Sequence, residues 1–218
     1  MATRLDPKAL RVYVVTSGTL VPGCGHREIT TAAIEGGATA IQLRAPELDD
    51  AELLPLARDL ATACRAAGVL FIVNDRVDVA VAAGADGAHV GQRDAPAAAR
   101  TALGPERVLG ISVRDVGQAR AAEAAGADYL GVTVWSTATK PEAVAEGLDG
   151  VAAVVVATSL PVVGIGGIDA ANAGRVRGAG AAGVAVISAV AVATDPVAAT
   201  RELRSVVDGA IDPSRGTR

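Results

Sequence analysis

The sequence predicts a single-domain α/β protein built as a (βα)8 TIM barrel. The first observation is that short β-branched runs alternate with longer Ala-rich stretches along the whole chain. The second is that several of these runs are continuously apolar, as in parallel strands covered on both faces. The third is that glycine-containing turns recur before every second predicted strand. A length of 218 residues, with 50% hydrophobic residues, suits one domain with a substantial core.

The strands are predicted from the apolar runs, and there are eight of them. They are Val12–Thr16, Thr39–Leu43, Leu70–Val73, Gly87–Val90, Val108–Ile111, Tyr129–Val132, Val162–Ile165 and Gly183–Ile187. The helices between and after them include Asp49–Ala67, Arg76–Ala83, Ala95–Leu103, Val116–Ala125, Ala170–Ala179 and Val197–Val207. We expect the barrel to span residues 1–208. Residues 209–218 are largely polar and are expected to form a disordered tail.

A weak internal repeat favours a closed barrel over the alternative, a doubly wound open sheet. Glycines at Gly36-Gly37, Gly84, Gly126 and Gly180 each stand where a helix stops and a strand starts. Glycine provides the left-handed residue that ends a helix. These points precede the second, fourth, sixth and eighth strands, and such regularity favours repeated βα units around a barrel.

Composition excludes several classes of function. A formal net charge of −4 argues against nucleic-acid binding, which requires a basic surface. No apolar run approaches the roughly 18 residues that a membrane span needs, and the start of the chain is unlike a signal peptide. Cys24 and Cys64 match no metal or disulfide spacing, so we expect a cytoplasmic protein. A homodimer is left open.

Two glycine-rich or polar segments follow the last two strands and predict a phosphate site. Gly166 and Gly167 follow the seventh strand, and Ile187 and Ser188 end the eighth. Barrel enzymes bind substrates at the C-terminal ends of their strands. Backbone N–H groups of such loops approach anions closely. The alternative is that the glycines only make a tight turn.

Gln42 and Arg44 end the second strand two residues apart, so they share one face, with Leu43 on the other. If Leu43 packs against the helices, both polar side chains point into the barrel mouth. A buried arginine without an anionic partner is costly. Arg44 therefore requires either an internal carboxylate or an anionic substrate.

Asp75 and Asp94 follow the third and fourth strands, and Asn74 precedes the first of them. Two carboxylates on neighbouring strand ends can share one Mg²⁺, which prefers oxygen ligands. The alternative for each aspartate is a helix N-cap. His89 lies on the fourth strand, where a satisfied core histidine is expected rather than a ligand.

Two further segments extend the predicted site. Ser112 is predicted to follow the fifth strand. The loop after the sixth strand carries Thr137, Thr139 and Lys140, which can donate to phosphate oxygens. This loop is either a closing segment over the substrate or a solvated connector.

Together these segments resemble the thiamine phosphate synthase family from about Tyr13 to Val207. The matching stretches are Ile41–Arg44, Val73–Asp78, Ala85–Asp94, Gly110–Val113, Gly126–Tyr129, Thr137–Lys140 and Ile165–Ile168. Each motif is weak alone, and their order on successive strand ends makes the match specific. The resemblance implies a transferase that joins an aminopyrimidine-methyl pyrophosphate to a thiazole-ethyl phosphate, releasing pyrophosphate.

The resemblance also implies roles for individual residues. Asp75 and Asp94 would bind Mg²⁺, and Ser112 would lie near the pyrimidine. The pyrophosphate would be held by Gln42, Arg44, Asn74 and Lys140. Thr137 and Thr139 would bind from the sixth loop. The thiazole phosphate would be held by Gly166, Gly167, Ile187 and Ser188. The groups expected to act at the reacting bond are Arg44, Ser112 and Lys140.

Two positions depart from the family pattern. Pro46 stands where the family usually carries a lysine two positions after the strand-end arginine, and we hypothesise that Arg93 or Arg76 replaces it. The segment 133–136 is about one residue shorter than usual and contains Trp135, which either fills space near the substrate or packs against a helix.

Three other functions stay open at this point. A related thiazole tautomerase would need a histidine after the fifth strand, where this chain has Arg114. A non-catalytic sensor that binds thiamine phosphate could share the fold. A phosphate-binding barrel of tryptophan biosynthesis would lack the paired aspartates and the Thr-x-Thr-Lys loop.

Overall fold

Eight parallel strands close into a barrel in chain order in the computed structural model, which describes residues 5–20, 24–91, 95–136 and 144–210. Pairing of the first strand with the eighth confirms the closed barrel and excludes the open sheet. The strands are β1 Val12–Val15, β2 Ala40–Leu43, β3 Leu70–Asn74, β4 Gly87–Val90, β5 Val108–Val113, β6 Tyr129–Thr133, β7 Val162–Ile165 and β8 Gly183–Val186. Ser112 was predicted to follow β5 and instead lies within it.

Helices cover the outside of the barrel. They are α1 His26–Glu35, α2 Asp50–Ala67, α3 Val77–Ala83, α4 Pro96–Leu103, α5 Val116–Ala124, α6 Gly147–Ala157, α7 Ala173–Gly178, α8 Ser188–Ala191 and α9 Pro196–Gly209, with a 3-10 helix at Pro7–Leu10. Across the described ranges, we find no helix of the length and apolarity that a membrane span requires. Most of the predicted tail, residues 211–218, lies outside the described residues.

Three of these helices, α1, α6 and α8, were not among those predicted. Helix α6 contains the run Val154-Val155-Val156, and β-branched residues favour strands when local propensity alone decides. In the fold, Val151 and Val154 are buried against the barrel. Burial of that face therefore outweighs the weak local preference.

The glycine turns have the predicted geometry. Gly37, Gly84, Gly126 and Gly180 all have positive φ, between 69° and 94°. Each allows the chain to leave a helix and enter the next strand within a few residues. The repeat read from the sequence is therefore confirmed as a repeat of helix ends.

The apolar core has two parts separated by the barrel wall. The larger lies between the strands and the helices and includes Leu43. The smaller fills the barrel interior and includes Tyr13, Tyr129 and Ile72. The barrel interior is thus filled by packed side chains, and the C-terminal ends of the strands, where barrel enzymes bind their ligands, lie beyond this layer.

Candidate functional site

A cavity of about 110 Å³ opens at the C-terminal ends of the strands. Its walls combine aliphatic side chains from the barrel interior with polar groups from successive strand ends. The lining residues on which the argument depends are Tyr13, Gln42, Arg44, Asn74, His89, Ser112, Tyr129, Gly166, Gly167, Ile187 and Ser188. Eight of the predicted site residues therefore meet in one place, because all parallel strands end at the same face.

The other predicted site residues fall into two groups. Asp75 is exposed next to Asn74 at the rim of the cavity. Asp94, Thr137, Thr139 and Lys140 lie outside the described residues. Their roles stay predictions.

The β7–α7 turn and the start of α8 form one wall of the cavity. Gly166 and Gly167 have φ of 96° and 65°, a conformation that glycine adopts without strain. Within the described part of the chain, the N–H groups of Gly167 and Ile168 have no protein acceptor, and neither do those of Ser188 and Ala189. Four unpaired N–H donors at one wall can bind an anion.

Other groups hold this turn in place. The Asn172 side chain donates to the Gly167 carbonyl at 2.9 Å, and the Trp135 N–H donates to the Gly166 carbonyl at 3.3 Å. The carbonyls of Gly166 and Gly167 therefore both accept hydrogen bonds from the protein. The glycines do make the tight turn considered as an alternative, and the same turn carries the N–H groups of Gly167 and Ile168 that have no acceptor among the described residues.

Arg44 lies half-buried at the end of β2, which is separated from β8 by β1, and it lines the same cavity. None of the carboxylates in the described ranges pairs with its guanidinium. Its backbone N–H reaches Thr16 Oγ1 at 3.4 Å, and Thr16 Oγ1 is 2.7 Å from His26 Nδ1. Because no internal Arg–Asp pair is present there, the anionic-substrate alternative for Arg44 is favoured.

At Pro46, the chain lacks the lysine that the family usually carries, and Arg76 and Arg93 are the two arginines hypothesised to replace it. Pro46 is exposed. Arg76 pairs with Asp50 and also donates to the Leu48 carbonyl at 3.1 Å. Arg93 lies outside the described residues, so replacement of the missing lysine by Arg93 or Arg76 stays a prediction.

Asp75 has φ of 60°, and among the described residues it is the one non-glycine residue with positive φ. The N-cap residue of α3 is Arg76, so Asp75 does not have the capping role considered as an alternative. The N-cap residue of α4 is Ala95. Asn74 Nδ2 donates to Asp75 Oδ2 at 2.7 Å. Asparagine and aspartate tolerate this conformation better than other residues.

A chain of hydrogen bonds crosses the floor of the cavity, and sequence reasoning missed most of it. Gln42 Nε2 donates to Tyr13 OH at 2.8 Å, and the Tyr13 and Tyr129 hydroxyls are 2.9 Å apart. Tyr129 OH is 3.0 Å from His89 Nδ1, and His89 Nε2 is 2.9 Å from Ser112 Oγ. His89 is satisfied, as predicted, but it also lines the cavity.

Both tyrosines of this floor are fully buried. Burial raises the pKa of the Tyr13 phenol and of the Tyr129 phenol well above the usual range. Both hydroxyls therefore stay protonated at neutral pH. The available sequence signal was that tyrosine is rare in this chain and that both tyrosines fall within predicted strands.

Comparison with known proteins identifies the family. The family model for thiamine monophosphate synthase matches residues 12–190. A thiamine-phosphate synthase of Moorella thermoacetica is 50% identical over 199 residues, which cover 90% of this chain and 95% of that protein. The chain belongs to the thiamine monophosphate synthase family.

Other members of the thiamine monophosphate synthase family agree with the fold and with the extent of the match. The thiamine-phosphate synthase of Chloroflexus aurantiacus is 48% identical, covering 90% of this chain and 92% of that protein. A thiamine phosphate pyrophosphorylase from Pyrococcus furiosus has a TM-score of 0.87 at 40% identity, covering 94% of this chain and 98% of that one. The resemblance read from the sequence is confirmed.

In this member of the thiamine monophosphate synthase family, Trp135 packs between the glycine turn and α7. Its ring lies 5.8 Å from the Arg175 guanidinium carbon, and its Cβ would be 3.1 Å from a Cβ added at Gly167. Of the two roles considered for Trp135, packing against a helix is the one seen. Through Gly167, it also contacts the anion-binding wall.

Proposed function

We propose that this protein is a thiamine phosphate synthase. It condenses 4-amino-2-methyl-5-pyrimidinylmethyl pyrophosphate with thiazole-ethyl phosphate, giving thiamine phosphate and pyrophosphate. The observation that carries the proposal is a cavity lined both by the β7–α7 turn and the start of α8, where N–H groups have no acceptor among the described residues, and by Arg44, which has no carboxylate partner among them. Two groups of anion-binding donors in one cavity suit two phosphorylated substrates. We also propose that the reaction takes place in the cytoplasm.

The chemistry requires positioning and charge stabilisation rather than a protein nucleophile. The C–O bond to pyrophosphate breaks, and the pair of electrons leaves with pyrophosphate. The amino-substituted ring delocalises the positive charge left on the methylene carbon, and the thiazole nitrogen then forms the new C–N bond. Arg44 and Asn74 stabilise the leaving group, and the glycine wall aligns the thiazole phosphate.

The metal and the sixth loop complete the proposal. Asp75 and Asp94 would hold Mg²⁺, which supplies charge neutralisation for the pyrophosphate. The carboxylate of Asp75 is exposed and adjoins Asn74, which lines the cavity, and this fits that use. Lys140, Thr137 and Thr139 would contact phosphate oxygens, and Ser112 would contact the pyrimidine.

The alternatives are less well supported by this site. Arg114, at the position where the tautomerase would need a histidine, is exposed, and its backbone N–H bonds to Gln118. A sensor would bind thiamine phosphate without turnover. Both alternatives predict no pyrophosphate release from the two substrates.

The proposal is tested by assaying purified protein with both substrates, with Mg²⁺ and with excess chelator. We expect thiamine phosphate and pyrophosphate in equal amounts with metal, and loss of turnover with chelator. Asp75→Asn should lower kcat/KM at least about 100-fold, since one carboxylate of the charge-stabilising set is removed. Asp78→Asn, an exposed change on α3, is the matched control. Product formation unchanged by chelator and by Asp75→Asn would refute the metal role, and no product at all would refute the activity.

A further inference from the structure

The hydrogen-bond chain on the cavity floor has a direction set by its own chemistry. Gln42 Nε2 is an amide nitrogen, which only donates, so Tyr13 OH accepts from it. The single Tyr13 proton is then directed to the Tyr129 oxygen. The single Tyr129 proton is in turn directed to His89 Nδ1. Each hydroxyl has one proton, so each link determines the next.

The same reasoning reaches the far end of the chain. A histidine whose Nδ1 accepts carries its proton on Nε2, which faces Ser112 Oγ. Ser112 Oγ then accepts from His89, and its own proton is directed to the cavity that it lines. At the near end, Gln42 Oε1 accepts no bond from the described residues, and Gln42 lines the same cavity. The floor therefore presents an acceptor at Gln42 and a donor at Ser112.

We propose that Tyr13, Tyr129 and His89 are positioning residues that hold His89 in the neutral Nε2–H tautomer and so make the floor selective for an aminopyrimidine. This rests on the proposed function for the identity of the ring. In this arrangement Gln42 binds the ring, in place of the pyrophosphate contact that the resemblance implied for it: the amino group of the ring donates to Gln42 Oε1, and a ring nitrogen accepts from Ser112. A 4-oxo analogue exchanges donor and acceptor at these two ring positions. It therefore offers no donor to Gln42 Oε1 and no acceptor to the Ser112 hydroxyl.

Burial strengthens the selection. The two tyrosine side chains are 2% and 0% exposed, so an alternative hydrogen-bond direction cannot be satisfied by bulk water. Their rings meet edge to face, with centroids 6.1 Å apart, and the His89 ring lies 5.4 Å from that of Tyr129. Packing thus holds the hydroxyls and the imidazole in one register.

The tautomer is measured directly by ¹H–¹⁵N NMR of the histidine side chains in the substrate-free protein. The chain has two histidines, so His26→Gln assigns the spectrum. We expect His89 Nδ1 to be unprotonated and Nε2 to be protonated at neutral pH. A protonated Nδ1, as the reverse direction requires, would overturn the proposal. Because no substrate is present, this result does not depend on whether the protein is a synthase.

The selectivity is measured with Tyr129→Phe and, independently, Tyr13→Phe. We expect kcat/KM for the aminopyrimidine to fall about 10-fold, the preference over the 4-oxo analogue to fall by a similar factor, and the thiazole phosphate KM to stay unchanged. The His89 signals should no longer report one tautomer in Tyr129→Phe. Thr39→Val removes a strand hydroxyl at the opposite end of the barrel, where it bonds to Val12, and is the matched control. If both tyrosine variants retain the wild-type preference between analogues, the residues are only structural and the proposal fails.

Discussion

At the residue scale, the site depends on the charge of Arg44 and on how the described part of the chain surrounds it. Arg100 shows the contrast, since it pairs with Asp128 at 2.6 Å and donates to several carbonyls. Arg44 has no carboxylate partner in the described ranges, although it is half-buried. Partial burial of an unpaired cation is unfavourable in the free protein, and a bound anion removes that cost.

This arrangement makes Arg44 a sharp test of substrate anchoring. Arg44→Ala should lower kcat/KM for the pyrimidine pyrophosphate about 10- to 100-fold, because one charged hydrogen bond is worth roughly 1.5–3 kcal/mol. Arg44→Lys should recover only part of the loss, since lysine lacks the planar fork. Steady-state kinetics with each substrate varied give the measurement, with exposed Arg58→Ala on α2 as the control. Equal kinetics for Arg44→Ala and wild type would remove Arg44 from the site.

At the element scale, the β7–α7 turn determines where the phosphate wall stands. Two consecutive glycines with positive φ form the turn that carries the N–H groups of Gly167 and Ile168, and Asn172 and Trp135 bind the turn from outside. The turn is therefore held between α7 and the segment after β6. Its shape depends on both neighbours, which explains why Trp135 affects this wall without lining the cavity.

Gly167→Ala should weaken thiazole phosphate binding and also lower stability. A left-handed alanine costs about 1 kcal/mol, and its Cβ would lie 3.1 Å from that of Trp135. We expect a higher KM for the thiazole phosphate, little change for the pyrimidine substrate, and a lower urea midpoint. Gly178→Ala on α7 meets nothing within 4 Å and should leave both kinetic constants unchanged. A Gly167→Ala protein with wild-type thiazole KM would contradict the cradle.

At the scale of the whole molecule, the site exists because the barrel closes. The pairing of β1 with β8 places the ends of β8 and β2 on the two sides of β1, so that Gln42 and Arg44 line the same cavity as Ile187 and Ser188. Closure needs a close backbone approach at Gly183, where an added Cβ would overlap the Leu10 carbonyl. A change at this seam therefore acts on the entire cavity rather than on one wall.

Gly183→Ala should prevent normal closure. Overpacking against backbone costs 1–3 kcal/mol or more, a large share of the roughly 5–15 kcal/mol by which a domain is stable. We expect a low yield of folded protein and a thermal midpoint lowered by at least several degrees. Gly209→Ala, which meets nothing within 4 Å, is the control. Wild-type melting of Gly183→Ala would show that the seam can relax.

The sequence predicted the strands closely and the helices less well. Glycine turns and apolar runs are local signals, so the eight strands and the ends of most helices could be read directly. Helix α6 was missed because its valines favour a strand until burial against the barrel is counted. Asp75 was considered as a helix cap because its left-handed backbone could not be predicted from local sequence. That conformation depends on contacts with β4, including the bond from the Asp75 N–H to the His89 carbonyl.

By itself, the sequence determined the order of βα units, the face on which Gln42 and Arg44 lie, and the family. These follow from periodicity, from glycine conformation and from motif order, which are properties of short segments. Only the tertiary structure decided that Tyr13, Tyr129 and His89 form one chain between Gln42 and Ser112, and that Arg44 has no carboxylate partner among the described residues. The physical reason is that hydrogen bonds across a barrel join residues far apart in the chain, such as Tyr13 and Tyr129, and their partners are set by closure rather than by local sequence.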